Sequence, residues 1–132
     1  MSRVIHLSEA ASLAIHSMVL IARSKKNLNV NAIANVTGAS RNHLARVMLR
    51  LVKADFVKST RGPSGGFVLN KKPKDITLLD IYQSVEGAII EEGCPLNRPI
   101  CPNEQCLMGN LFNKLTIQFK EYFKHQTLKD YI

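Results

Sequence analysis

Residues 56–69 constrain the fold more tightly than any other stretch of the chain. The run from Phe56 to Arg61 is rich in strand-forming types, the segment Gly62-Pro63-Ser64-Gly65-Gly66 suits neither helix nor strand, and Phe67 to Leu69 resumes an extended pattern. Two short extended runs around a glycine-rich break predict a β-hairpin. A phosphate-cradling glycine loop is the competing reading. It fails because no Gly-Lys-Ser/Thr follows and the chain leads into a strand, not a helix.

What precedes the hairpin gives it a role. Leu7 to Arg23 has helical periodicity, with Ser8 as N-cap, Glu9 in the first turn, and Leu13, Ala14, Ser17, Leu20 and Ile21 as a core stripe. After a polar connection, Asn31 to Thr37 predicts a short helix with Ile33, Ala34 and Val36 available for packing, and Gly38 ends it. Ser40 then caps a third helix, Arg41 to Ala54, with Leu44, Val47, Met48 and Leu51 inward. Arg41, Asn42, His43, Arg46 and Arg50 are left outward. A short helix, a glycine turn and a longer cationic helix form a helix-turn-helix pattern. Spacing alone would equally fit a helical hairpin with a solvated basic face. The hairpin directly after it is the wing of a winged helix, which favours DNA. In that reading Ser40, Arg41, Asn42, His43, Arg46 and Arg50 face DNA, joined by Arg61 and Gly65 of the wing. Arginine pairs bidentately with guanine, and an asparagine reads adenine.

Charge placement agrees. The net charge is +8, and residues 1–61 carry ten Lys/Arg against Glu9 and Asp55 alone, while the remainder is neutral. A basic excess confined to one half is the footprint of phosphate binding. No apolar run approaches the ~18 residues of a membrane span, and the first residues lack a signal-peptide core. A cytosolic protein is expected.

Downstream, Thr77 to Glu86 predicts a fourth helix with Thr77 and Asp80 as a capping box, followed by Gly87. Leu107 to Lys124 predicts a long amphipathic helix. Leu111, Leu115, Phe119 and Tyr122, with Leu107, Phe112 and Phe123 beside them, form a stripe wide enough for its own domain and a second copy of the chain. Gln126 to Tyr131 is expected to form a short capping turn or helix. Between these helices lie all three cysteines, Cys94, Cys101 and Cys106, in a loop with three of the five prolines. Thiols gathered on such a loop suit a thiophilic metal, zinc or iron-sulfur. An odd number of them in the cytosol argues against a disulfide framework, although one disulfide with a spare thiol is the plainer alternative.

Taken together, the helix-turn-helix, the run Arg61-Gly62-Pro63-Ser64-Gly65-Gly66-Phe67, the segment Ile76 to Ile81, Val85-Glu86-Gly87, the cysteines and the long helix resemble the IscR/NsrR-type winged-helix regulators, the Rrf-two family. The resemblance covers essentially the full length. It implies a mainly α fold with a small β-hairpin wing, a winged helix-turn-helix over 1–75, and a sensor loop and dimerisation helix over 76–132. It also implies a homodimeric transcriptional regulator, a repressor, whose cysteines hold an iron-sulfur cluster that senses nitric oxide, redox state or iron-sulfur supply. Here the cysteines follow a Cys-x6-Cys-x4-Cys spacing, whereas the IscR branch spaces them evenly. That branch also carries a histidine where this chain has Gly109. In the nitric-oxide-sensing branch a first-helix carboxylate of the partner completes the site. Ser12 stands at that position, with Glu9 and His16 on the same helix face. Imidazole is the better iron ligand, so His16 leads and Glu9 follows as fourth ligand. His6, His43 and His125 are assigned to the surface or the DNA side.

The function expected is therefore cluster-dependent control of transcription at a partly palindromic operator in double-stranded DNA, with cluster nuclearity open between two and four irons. A cluster-free thiol switch on the same fold is the first rival. An iron-sulfur electron carrier ranks last, because it leaves the basic half unused and no nucleophile–base pair or cofactor fingerprint is present. An enzyme is not expected.

Overall fold

A computed structural model describes residues 7–89, 102–105 and 107–132. Helix α1 spans Glu9–Arg23, α2 Val30–Thr37 and α3 Arg41–Lys53. Strands β1 (Val57–Thr60) and β2 (Gly66–Leu69) pair antiparallel, Val57 opposite Leu69 and Thr60 opposite Gly66. Helix α4 runs Leu78–Glu86 and α5 Leu111–His125, before a last 3-10 turn at Leu128–Tyr131. The expected mainly helical fold with a hairpin wing is the fold observed.

Helices α1 to α4 each begin where a side chain supplies the missing acceptor. The Ser8 hydroxyl accepts from Ala11 N at 3.0 Å, Asn29 Oδ1 from Ala32 N at 2.8 Å, and the Ser40 hydroxyl from His43 N at 3.2 Å. The α4 capping box forms as expected: Asp80 N donates to the Thr77 hydroxyl at 2.9 Å, and Thr77 N to Asp80 Oδ2 at 3.1 Å. Gly38 closes α2 in the left-handed region, at φ 74°. Helix α5 starts four residues later than its apolar pattern suggests. Gly109 and Asn110, at φ 61° and 57°, hold left-handed backbone that a right-handed helix cannot include, so Leu107 to Asn110 form a turn.

One core joins these elements. Met18 of α1, Ile33 of α2, Leu44, Met48 and Leu51 of α3, Ile81 of α4 and Leu128 of the last turn are all fully buried in it. The C-terminal turn is locked in by backbone pairing, Leu78 N to Gln126 O at 2.9 Å and Leu128 N to Ile76 O at 3.0 Å. Arg23 Nε donates to Tyr131 O at 2.6 Å. Val36, expected to pack, is instead 68% exposed: the short α2 turns Ile33 alone fully inward.

Helix α5 divides its apolar residues between two faces. Phe119 and Phe123 meet Tyr82 of α4 edge-on, with centroids 5.2 and 6.0 Å away. Thr116 is buried beside them on that face. Phe119, counted above with the dimerisation stripe, therefore belongs to the chain's own packing. Leu111 (52% exposed), Leu115 (38%) and Tyr122, with Leu107 in the preceding turn, face outward.

Candidate nucleic-acid interface

The helix-turn-helix places α3 with Leu44, Val47, Met48 and Leu51 buried and Arg41, Asn42 and Arg46 exposed. Its N-terminus is capped by Ser40 and carries no acid in the first turn. Free amides and the positive end of the helix dipole suit a phosphate there. Two residues expected on the outward face are held by the chain itself. Arg50 is exposed, yet its Nη1 donates to Val85 O at 2.8 Å, anchoring α3 to the last turn of α4. His43 is half-buried, and its Nε2 is closed off from solvent without a hydrogen-bond partner.

The wing is supported by residues that pattern reading passed over as a polar connection. Leu28 N donates to Phe67 O at 3.2 Å, and Phe67 N to Leu28 O at 2.7 Å, so Leu28 adds one bridge to the open edge of β2. Asn27 Nδ2 donates to the Thr60 hydroxyl at 2.9 Å and to Ser64 O at 3.2 Å, fastening the hairpin tip. The only sequence signal was a polar amide next to an isolated leucine, which carries no periodicity.

Glycines make these approaches possible. Gly66, at φ 152°, lies so close to the Leu28 backbone that a Cβ would fall 2.6 Å from its carbonyl carbon. A Cβ on Gly65 would meet Gly62 O at 2.9 Å. Gly66→Ala is expected to destabilise the protein by about 1–3 kcal/mol from the backbone conformation alone. Chemical denaturation measures this; an unchanged midpoint would show that the wing does not depend on the approach. Arg61 is exposed at the hairpin tip, and Lys58 is exposed along β1.

The three cysteine positions, Cys94, Cys101 and Cys106, lie outside the described residues. Among the described residues no three His, Cys, Asp or Glu side chains converge. Glu9 and His16 are both exposed on α1. His16 Nδ1 lies 2.7 Å from Ser12 O; a carbonyl only accepts, so Nδ1 carries a proton, and in the neutral ring the lone pair is then on Nε2. A backbone-anchored ring with its far nitrogen exposed is the usual arrangement of a ligating histidine. His16 also lines a groove of about 600 Å³ along α1, walled by Val36 and Thr37 of α2 and by Leu78 and Tyr131. Burial, reinforced by the neighbouring Tyr122, pushes the Tyr131 phenol up, and its hydroxyl donates to Gln126 Oε1 at 2.9 Å.

Helix-turn-helix, hairpin wing and a cationic exposed α3 together define a winged-helix DNA-binding protein. Its family follows from comparison: residues 7–132 match the Rrf2 family, described as an iron-dependent transcriptional regulator, and the chain belongs to that family. It is similar to an HTH-type transcriptional regulator of Aquifex aeolicus (strain VF5), 33% identical over 129 residues, 95% of this chain and 90% of that one. Among solved structures it resembles CymR, the global cysteine regulator of Bacillus subtilis, at a TM-score of 0.79 and 26% identity, covering 96% of this chain and 95% of CymR. It also shares the fold of T. potens IscR, at a TM-score of 0.75 and 24% identity, covering 96% of this chain and 85% of IscR. The protein is a transcriptional regulator of the Rrf2 family. Among the described residues no helix is long and apolar enough to cross a membrane.

Proposed function

We propose that this regulator binds a partly palindromic operator as a homodimer and acts as a repressor whose affinity is set by an iron-sulfur cluster on Cys94, Cys101 and Cys106. The observation that carries the DNA half is the Ser40-capped α3, which exposes Arg41, Asn42 and Arg46 in a chain whose entire positive excess lies in residues 1–61. Arg46 and Asn42 are the base-reading candidates. Ser40, Arg41, Arg61 and the Gly65 backbone are the phosphate-side candidates. Arg50 serves first to hold α3 against α4, and a phosphate contact from its remaining amines is secondary.

Three thiolates and one imidazole are a donor set that fits an iron-sulfur cluster. His16 offers its exposed Nε2 for the fourth position, with Glu9 the substitute. The cluster supplies a redox- and nitric-oxide-sensitive tether. The protein supplies the transmission, because the cysteines sit between α4, which Arg50 joins to α3, and α5, whose outer face carries Leu111 and Leu115. Ligation at that junction favours one spacing of the two recognition helices over another. Such differential stabilisation is what a switch requires. A cluster-free thiol switch is the second reading, favoured by the likeness to CymR, a cysteine regulator.

Operator binding is expected to be steeply salt-dependent. About 6–10 phosphate contacts would lose roughly 10³–10⁵ in affinity between about 50 and 200 mM salt. Arg61→Ala is expected to weaken specific and random DNA alike and to lower the salt slope by about one. Arg46→Ala is expected to cost about 1–3 kcal/mol at one operator position. Fluorescence anisotropy across a salt series reads all three. Affinity indifferent to salt and to both substitutions contradicts the winged-helix reading.

A further inference from the structure

An exposed leucine stands in the middle of the cationic face of α3. Leu49 is 55% exposed, although every other large apolar residue at the centre of this helix is buried. Asn42, Ala45, Arg46 and Leu49 fall at i, i+3, i+4 and i+7, so they share one helix face, and all four are exposed. That spacing is the one by which a recognition helix lying in the major groove brings side chains to base edges. His43 and Arg50 are diverted from this set, the first by burial of its Nε2 and the second by its bond to Val85 O. The reading face is therefore two hydrogen-bonding side chains beside two apolar ones.

The only apolar group that base edges offer in the major groove is the thymine C5-methyl. A cytosine there presents an amino donor, which an apolar side chain would leave unpaired. We infer that Leu49 reads a thymine methyl in each half-site, with the small Ala45 letting the helix lie close enough for contact. This assignment rests on the DNA-binding reading above and adds to it a specificity determinant that carries no charge and no hydrogen bond.

The test uses the full-length protein, purified anaerobically, to enrich an operator from random duplex DNA. Each thymine of the enriched duplex is then replaced singly by deoxyuridine, which removes only the methyl. Wild type is expected to lose about fourfold in affinity at one thymine per half-site, the weight of one buried methyl-sized group. Leu49→Ala is expected to bind the enriched duplex more weakly and to be indifferent to deoxyuridine at that position. Leu49→Met, equally long and apolar, is expected to keep the sensitivity. Because Leu49 is exposed, thermal melting of all three proteins is expected to coincide. Enrichment with normal salt dependence, but with wild type indifferent to every deoxyuridine, overturns the Leu49 assignment alone. So does a Leu49→Ala protein that keeps the full sensitivity. Failure to enrich any sequence overturns it together with the DNA-binding reading.

Discussion

Leu111→Asp and Leu115→Asp are each expected to yield a folded monomer that binds a complete operator about 10²–10⁴-fold more weakly than wild type. That range is the avidity lost when two linked half-site contacts become separate events. The physical basis is the division of α5. Leu111 and Leu115 are exposed on the chain itself, so an aspartate there meets water and leaves the fold intact. In a helix–helix interface the same aspartate would be buried without a partner, at a cost of about 3–5 kcal/mol. Phe119 behaves differently because it packs on Tyr82, so Phe119→Asp is expected to unfold the C-terminal packing rather than split a dimer. Sedimentation and thermal melting on the same samples separate the two outcomes. If Leu111→Asp and Leu115→Asp remain dimeric with full operator affinity, the outer face of α5 is not the contact between copies.

Replacing any one cysteine is expected to remove the proposed cluster. Cys94→Ala, Cys101→Ala and Cys106→Ala are each expected to abolish the visible absorption of the anaerobic protein, since two thiolates hold a cluster poorly. His16→Ala is expected to leave melting and dimerisation unchanged while altering the spectrum and shortening its lifetime in air. Glu9→Ala is expected to do so only if the carboxylate is the ligand. A mixed dimer of a His16→Ala chain with a Cys106→Ala chain is expected to recover one intact site if the fourth ligand comes from the opposite copy. Unchanged spectra in both His16→Ala and Glu9→Ala would remove α1 from the ligand set.

Helices α1, α3 and α4 were legible because each has its own cap and periodicity. Ser8, Ser40 and Thr77 open α1, α3 and α4 where the sequence places them, and the buried stripe of α3 is the one its spacing predicts. The wing was legible from its glycines. Long-range contacts without a periodic signature were not. Asn27 and Leu28 read as a linker because their partners, Thr60, Ser64 and Phe67, lie more than thirty residues away. Arg50 is exposed as its spacing predicts, but its second role was hidden because the carbonyl it binds belongs to the end of another helix. Phe119 shared a stripe with Leu115, and only the position of Tyr82 shows that the stripe is really two faces. The start of α5 was misplaced because apolar spacing continues through Leu107 and Leu111 while Gly109 and Asn110 turn the backbone the other way.

Operator affinity of one anaerobic preparation, measured before and after treatment with an iron chelator and with iron and sulfide counted on the same samples, tests the proposed control by the cysteines most directly. A coloured protein holding iron and sulfide is expected, whose operator affinity changes when they are removed and returns when the cluster is rebuilt. A colourless protein with full, chelator-indifferent operator affinity would contradict it and leave the thiol switch in its place.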